Sequence, residues 1–369
     1  MKIERATIYH IAMELVTPFE TSFGVETARH CVLLRLQAEG LEGWGECVAT
    51  LTPGYSYETV GTAWHILRSY FLPALLGQEI REIPDLIPLL DPFKGHPMAR
   101  AGLEMALWDL LGKARGQSLS EMLGGQASRV PVGVSVGLHD SMDSLLPVLH
   151  GYQEAGYARI KLKIKPGMDV DYVGNVREAF PELPLQVDAN SAYGLDAVPI
   201  FKAMDSMDLI LIEQPLAEDD LIDHSHLQAE LSTPICLDES IASVRHTRQA
   251  LAIDACRVVN IKPGRVGGLW EAKRIHDLCV SQNVPVWCGG MLETNVGRAS
   301  NLALAALPGF SLPGDISASD RYYAQDLAGP NFELNPDSTI TVPQGPGLGI
   351  EIWHEPLERF CERQETLSG

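Results

Sequence analysis

Five charged residues recur along this 369-residue chain at an almost constant interval: Lys163, Asp188, Glu213, Asp238 and Lys262. The successive gaps are 25, 25, 25 and 24 residues. One strand and one helix of a closed parallel barrel together occupy roughly 25 to 30 residues. Each charged residue also lies where an apolar run stops and a turn begins, as in the segment VDANS. The spacing therefore predicts one charged residue at the C-terminal end of each of five successive barrel strands, where the active sites of such barrels lie.

The rest of the central region follows the same period. From about residue 130 to 316, short β-rich runs alternate with segments of helix length, a pattern typical of βαβ units and a parallel sheet. Eight strands are predicted, at 131–137, 159–164, 185–188, 209–213, 235–238, 257–262, 284–288 and 310–315. This pattern predicts an α/β fold, a TIM-type barrel, over residues 126–316.

Two further regions flank the predicted barrel. Residues 1–125 indicate a mixed α+β unit, with strands near 2–16 and 31–39, loops at 18–24 (PFETSFG) and 50–59 (TLTPGYSYET), and helices near 58–76, 98–114 and 118–123. Residues 317–369 are rich in Pro, Gly and Asp and are predicted to end in a short helix near 355–364. This tail is too short to fold alone, so we expect it to pack back on the first unit.

Composition excludes several classes of partner. The net charge of −20 argues against nucleic acid and anionic membranes, because both bind basic surfaces. The seven cysteines are odd in number and contain no C-x-x-C pair, which is typical of a reduced cytosol rather than of a disulfide framework. The sequence contains no run of 18 apolar residues, so no membrane span is predicted. The N-terminal segment carries charges within its apolar pattern and does not resemble a signal peptide. We therefore expect a cytoplasmic protein that acts on small molecules.

Strand alternation predicts that the charged residues point into the barrel. In the segment ARIKLKI, Lys161 and Lys163 share one face, while the aliphatic residues between them take the other. In PLQVDAN, Asp188 likewise shares its face with Asn190. In VVNIKP, Lys262 shares its face with Asn260. Charged groups opposite an aliphatic row predict a polar barrel interior at its mouth.

The charge pattern also suggests a chemistry. Three carboxylates on adjacent strands would repel each other unless a cation joined them, and an all-oxygen set favours Mg²⁺ or Mn²⁺ over zinc. Lys163 and Lys262 lie on strands 2 and 6 of eight, so we expect one on each side of a bound substrate. A nearby divalent cation and a second ammonium both lower a lysine pKa, which suits a general base. The pattern predicts removal of a proton beside a carboxylate, through an enediolate.

Several longer segments resemble a known family: PFETSFG at 18–24, RIKLKIKPG at 159–167, QVDANSAY at 186–193, TPICLDES at 233–240, VNIKPGRVGG at 259–268 and PVWCGGMLET at 285–294. They resemble the enolase superfamily and, within it, the o-succinylbenzoate synthase / N-acylamino acid (N-succinylamino acid) racemase family. The superfamily's lysine base and Mg²⁺ chemistry is an established pattern. The resemblance extends over nearly the whole chain.

This resemblance implies a modified (β/α)7β barrel, covered by a capping domain made of residues 1–125 and 317–369, whose loops at 18–24 and 50–59 close over a carboxylate substrate. It implies Lys163 as base and Lys262 as acid/base on the opposite face. The implied metal ligands are Asp188, Glu213 and Asp238, holding Mg²⁺ or a substitute such as Mn²⁺. The implied substrate contacts are Ser135, Lys161, Asn190, Gly290 and Met291. The protein is expected to be a homo-oligomer.

Alternatives remain open at this stage. Dehydration to 2-succinylbenzoate and racemisation of N-acylated amino acids both fit the motifs, so we expect a site capable of both. Another racemase, cycloisomerase or epimerase of the superfamily is the first alternative. Within it, Lys262 in place of a His–Asp dyad disfavours the mandelate-racemase-type branch, and the lack of an Asp-x-Asp at 314–317 disfavours the dipeptide epimerases. A metal-dependent hydrolase is disfavoured because the first strand lacks H-x-H. A non-catalytic barrel is the last alternative. Arg265 either lowers the pKa of Lys262 or forms a surface salt bridge.

Overall fold

The structure is a computed structural model that describes all 369 residues. Its N-terminal unit begins with three antiparallel strands, β1 (Arg5–Thr21), β2 (Gly24–Ala38) and β3 (Leu41–Cys47). The segment predicted as a loop at 18–24 is instead the end of a long hairpin, whose turn is only residues 22–23. Pro18 cannot donate to a strand ladder, and the β1–β2 pairing is interrupted there before it resumes at Phe19 and Glu26. The hairpin therefore extends the sheet to the barrel mouth.

Helices complete this unit: α1 (Val60–Ile66), a π-helical turn (Leu67–Phe71), α2 (Leu72–Leu75), a 3₁₀ turn (Ile83–Leu86), α3 (Ile87–Leu90), α4 (Pro97–Arg115) and α5 (Leu119–Leu123). The longest helix, α4, packs directly on β3. Glycines allow this close approach, because a Cβ added to Gly45 would overlap the carbonyl oxygen of Gly102, and one added to Gly43 would overlap that of Ala106. The apolar residues of both elements form part of one core that continues into the barrel.

The barrel is a parallel sheet of seven strands in chain order: β5 (Val134–Val136), β6 (Ile160–Lys163), β7 (Leu185–Asp188), β8 (Leu209–Glu213), β9 (Ile235–Leu237), β10 (Val258–Ile261) and β11 (Val286–Cys288). A short strand, β4 (Arg129–Pro131), precedes it and belongs to a separate hairpin, so the predicted first strand at 131–137 is divided in two. The intervening helices are α6 (Met142–Glu154), α7 (Val170–Ala179), a 3₁₀ turn (Leu195–Ala197), α8 (Val198–Met204), α9 (Leu221–Glu230), α10 (Val244–Ala252), α11 (Pro263–Val266), α12 (Leu269–Ser281) and α13 (Asn295–Ala305).

The predicted eighth strand at 310–315 is not a regular strand. Single backbone bridges join Phe310 to Val286 on one side and Gly314 to Val132 on the other. The amide of Gly133 donates to the carbonyl of Gly314 at 2.8 Å. Pro313, within this segment, has no N–H to donate, which limits the segment to isolated bridges. The segment nevertheless links the last strand to the first and closes the barrel.

The tail returns to the N-terminal unit. It contains a 3₁₀ turn (Ser319–Arg321), β12 (Ala328–Gly329), β13 (Thr339–Thr341), β14 (Glu351–Ile352), α14 (His354–Phe360) and β15 (Cys361–Ser368). The helix predicted at 355–364 therefore ends at Phe360, and the last residues form an edge strand antiparallel to β1. Sequence patterning did not indicate this strand, because its partner residues in β1 lie at least 350 positions away and only one of its faces is partly covered. None of the helices combines the length and apolar character needed to cross a membrane.

Candidate active site

The five regularly spaced charges meet at the C-terminal mouth of the barrel. Lys163, Asp188 and Glu213 are the last residues of β6, β7 and β8. Asp238 and Lys262 follow directly after β9 and β10. Each is buried, with no more than 7% of its surface exposed. Because the sheet order is β6–β7–β8–β9–β10, the three carboxylates lie side by side with one lysine on each side.

A cavity of about 650 Å³, partly open to solvent, lies over these residues. Its barrel wall includes seven of the ten site residues expected from the sequence: Ser135, Lys161, Lys163, Asn190, Lys262, Gly290 and Met291. The three carboxylates lie behind the lysines and do not line it. The N-terminal unit supplies the opposite wall from two places, the β1–β2 hairpin with Phe19 and Phe23, and the loop at 50–59 with Tyr55. The site is therefore formed jointly by barrel and cap.

Lys161 and Lys163 connect the first carboxylates to their surroundings. The ammonium of Lys161 lies 3.1 Å from Asp188, 2.9 Å from Glu213 and 2.6 Å from Asp315. The ammonium of Lys163 lies 2.6 Å from Asp188 and donates to the side-chain oxygen of Asn190, also at 2.6 Å. These contacts satisfy two buried charges that would be costly without partners.

The opposite side of the site is built around Asp238. Its Oδ2 accepts a hydrogen bond of 2.6 Å from Lys262, and its Oδ1 accepts one of 3.1 Å from the hydroxyl of Tyr55. Arg265 pairs with the same carboxylate and donates to the carbonyl of Ile241 at 2.8 Å. Arg265 is buried, so the interpretation of this residue as a surface salt bridge is wrong.

Lys163 and Lys262 differ in their electrostatic surroundings. Burial lowers the pKa of Lys163 below its ordinary value, an effect that the nearby Asp188 only partly offsets. Burial also opposes the charge on Lys262, but Tyr55 and the carboxylates of Glu213 and Glu239 outweigh it and raise the pKa of Lys262. The two sides of the cavity therefore stabilise the ammonium form of lysine to different extents.

The carboxylates fit a divalent cation by their chemistry. Burial and the charge of Asp188 raise the pKa of Glu213, and the same two causes raise the pKa of Glu239 to about 7. Such crowding of hard oxygen donors is relieved by an ion such as Mg²⁺. In the structure each of the three carboxylates contacts an ammonium or guanidinium group, and no set of three acidic, histidine or cysteine side chains has its donor atoms arranged to hold a metal ion. The chemistry of these oxygen donors, rather than their present arrangement, makes Asp188, Glu213 and Asp238 the candidates to hold such an ion.

Sequence reasoning missed several residues of the cavity wall: Glu26, Arg29, Leu292, Asp315 and Tyr322. Arg29 lies on β2 and is buried without an ion pair, donating to the carbonyl of Val48. Nothing local in the sequence places that strand against the barrel mouth. Asp315 could have been found, because it ends the predicted eighth strand at a position equivalent to those of the other charges. It pairs with Arg159 at 2.6 Å and with Lys161.

Comparison with known protein families agrees with this architecture. Residues 3–124 match the model for the mandelate racemase / muconate lactonizing enzyme N-terminal domain, and residues 148–355 match the enolase C-terminal domain-like model. The chain belongs to the enolase superfamily. The expected resemblance and fold class, a TIM-type barrel with a capping unit, are both confirmed. Enolase-superfamily enzymes use a divalent metal.

Individual relatives cover the whole chain. It is 50% identical over 359 residues to an N-succinylamino acid racemase from Amycolatopsis sp, covering 97% of both chains. It is 48% identical over 363 residues to an o-succinylbenzoate synthase from Geobacillus kaustophilus, covering 98% of this chain and 96% of the relative. Among solved structures, an enolase-superfamily protein from Listeria innocua matches with a TM-score of 0.95 and 40% identity. The match covers 100% of this chain and 99% of the Listeria chain.

Proposed function

We propose that this enolase-superfamily protein is a divalent-metal-dependent enzyme that removes the proton α to a carboxylate. We propose further that one site serves both o-succinylbenzoate synthase and N-succinylamino acid racemase reactions. The observation that carries the proposal is the pair of buried lysines, Lys163 and Lys262, which line one cavity on either side of three carboxylates. Relatives with each of the two activities in their names share about half of this sequence, which supports both.

In this proposal Asp188, Glu213 and Asp238 hold the metal, Mg²⁺ in the first place and Mn²⁺ as a substitute. A bound divalent cation would withdraw charge from the substrate carboxylate and so stabilise the enediolate. Substrate contacts are assigned to Ser135, Lys161, Asn190, Gly290 and Met291. All five line the cavity, and the hydroxyl of Ser135 is buried without a protein partner, which leaves it free to bond a ligand.

The two lysines perform the proton transfers. For racemisation, Lys163 takes the α-proton from one face and Lys262, as an ammonium, returns a proton to the other, or the reverse for the opposite enantiomer. For dehydration of the cyclohexadiene dicarboxylate precursor, a single base removes the α-proton, and the hydroxyl leaves the adjacent carbon as water by taking that proton from the protonated base. The second lysine then needs only to supply positive charge. Racemisation uses both lysines for proton transfer, whereas dehydration uses one as base and the other as a positive charge. The same pair of lysines can therefore support both reactions.

The test is exchange of the α-hydrogen with solvent deuterium for each enantiomer of an N-succinylamino acid, measured by proton NMR. We expect Lys163→Ala to abolish exchange of one enantiomer and Lys262→Ala to abolish exchange of the other. Lys165→Ala is the matched control, because Lys165 follows the same strand but pairs with Glu20 outside the cavity wall. Retention of both exchanges in Lys163→Ala would end the candidacy of Lys163 as base.

Further proposals concern the setting of the enzyme. We propose that residues 1–125 and 317–369 act as one capping unit over a barrel of residues 126–316, supported by the pairing of β15 with β1. We also propose a cytoplasmic homo-oligomer that serves menaquinone synthesis when it acts as a synthase. Size-exclusion chromatography with light scattering tests the oligomer. Complementation of a strain that lacks the synthase tests the pathway, and failure to restore menaquinone would contradict it.

A further inference from the structure

The loop at 50–59 reaches a lysine of the proposed acid/base pair through one side chain. Residues 51–54 and Tyr57 are exposed, whereas Tyr55 turns inward and lines the cavity. Its hydroxyl accepts a hydrogen bond from Lys262 at 3.2 Å, and its ring centre lies 4.6 Å from the same ammonium. Tyr55, which belongs to a loop expected to close over the substrate, therefore contacts Lys262 twice.

A second contact fixes the orientation of this hydroxyl. Because it donates its own proton to Oδ1 of Asp238 at 3.1 Å, its lone pairs are directed to the ammonium. Phe23 supports the ring from the β1–β2 hairpin, with the two ring centres 6.4 Å apart. The tyrosine is thus held between both parts of the cap and the barrel. No comparable cap residue hydrogen-bonds Lys163, whose partners Asp188 and Asn190 both belong to the barrel.

We propose that Tyr55 is a positioning residue for Lys262, and that the cap thereby completes only one half of the acid/base pair. The hydroxyl and the ring face together restrict the ammonium to one direction, towards the cavity. Lys163 obtains the same restriction from barrel residues alone. Removing the tyrosine hydroxyl should therefore impair proton transfer on the Lys262 face and leave transfer on the Lys163 face unchanged. This inference rests on the proposed function.

The experiment uses the full-length enzyme with Mg²⁺ and follows deuterium exchange of each enantiomer separately. Exchange in Lys163→Ala and Lys262→Ala first assigns each enantiomer to its lysine. Tyr55→Phe, which keeps the ring, should lower kcat for the Lys262-dependent enantiomer roughly 10-fold, because one hydrogen bond to a charged group is lost. Tyr55→Leu, which also removes the ring, should lower it further. For Tyr55→Phe, which keeps the cavity wall intact, both KM values and the kcat of the other enantiomer should stay within about two-fold of the wild-type values.

Tyr57→Phe is the matched control, because it makes the same chemical change in the same loop at a side chain that is 65% exposed. Equal loss of both exchanges in Tyr55→Phe would overturn the proposal, since the tyrosine would then act through the metal ligand Asp238 or through loop closure. The proposal would also be overturned if Tyr55→Phe had the same kinetics as Tyr57→Phe. If the wild-type enzyme exchanges neither enantiomer, the proposed function itself fails and the role of Tyr55 fails with it. These outcomes are distinguishable from one another.

Discussion

Glu104 hydrogen-bonds across the contact between the cap and the barrel, and we predict that its buried carboxyl makes the stability of the protein pH-dependent. This residue of α4 is buried, and its Oε1 accepts hydrogen bonds from the indole of Trp108 at 3.1 Å and from the backbone amide of Trp270 at 2.8 Å. The second bond caps the first turn of the barrel helix α12. Burial nevertheless dominates and raises the pKa of Glu104 from 4.5 to about 7.

The sign of the effect follows from proton linkage. Between pH 4.5 and 7 the folded protein holds a proton on Glu104 that the unfolded chain has released, so this residue's stabilisation is complete below about pH 4.5 and is lost as pH rises through 7. A shift of about 2.5 units at 1.36 kcal/mol per unit amounts to ~3 kcal/mol. Glu104→Gln keeps an acceptor for both hydrogen bonds and cannot ionise. We therefore expect the variant to gain stability over the wild type as pH rises.

Denaturant unfolding, followed by tryptophan fluorescence at pH 5 and pH 8, measures this gain. The difference in unfolding free energy between Glu104→Gln and wild type should grow by about 2 to 3 kcal/mol from pH 5 to pH 8. Glu46 and Glu58, whose pKa values burial also raises to about 7, titrate in both proteins and cancel. Glu178→Gln, on an exposed helix position, should show no such growth. A difference that does not change with pH would refute the reasoning.

Three further predictions concern the metal, the cap and the core. Glu213→Gln should lower Mg²⁺ affinity measured by calorimetry, and turnover with it, by about 100-fold or more, whereas full turnover in excess EDTA would contradict the metal site. Phe23→Leu should alter relative kcat/KM among N-succinylamino acids by about 1–3 kcal/mol without changing metal affinity, and an unchanged ranking would show that the cap does not select the side chain. Gly45→Ala should cost about 1–3 kcal/mol in unfolding experiments, because its Cβ would overlap the Gly102 carbonyl, whereas Gly151→Ala, a helix position with open space, should stabilise by about 0.5–1 kcal/mol. Equal effects of the two alanines would contradict the packing argument.

The barrel was predictable because its information is local and periodic. A strand in a parallel sheet is buried on both faces, so it appears as a short apolar run, and seven of the eight predicted strands are present. The eighth segment was wrongly predicted to be a regular strand. Pro313 has no N–H to donate, so the segment forms single bridges but no continuous hydrogen-bonded ladder. The C-terminal strand was missed for a different reason. Its partner β1 is at the other end of the chain, and no local pattern records such pairing.

Sequence spacing alone determined which charges gather at one end of the barrel. Because each βα unit has nearly the same length, residues about 25 positions apart fall at equivalent strand ends. Lys163, Asp188 and Glu213 are the last residues of three successive strands. The contacts among those charges depended on the tertiary structure. Lys161 lies between two of the carboxylates, and Arg265 turns inward to pair with the third, because burial requires every charge to find a partner.

The positions of the cap side chains at the cavity depended most on the tertiary structure. The family resemblance implied that the segments at 18–24 and 50–59 close over the substrate, but the direction of each side chain depends on how the cap docks on the barrel. That docking brings Arg29 to the cavity wall and places the Tyr55 hydroxyl between Asp238 and Lys262. Tyr55 is more than 180 positions away from both Asp238 and Lys262 in the chain, so only the folded arrangement of the two units can bring it within hydrogen-bonding distance of them.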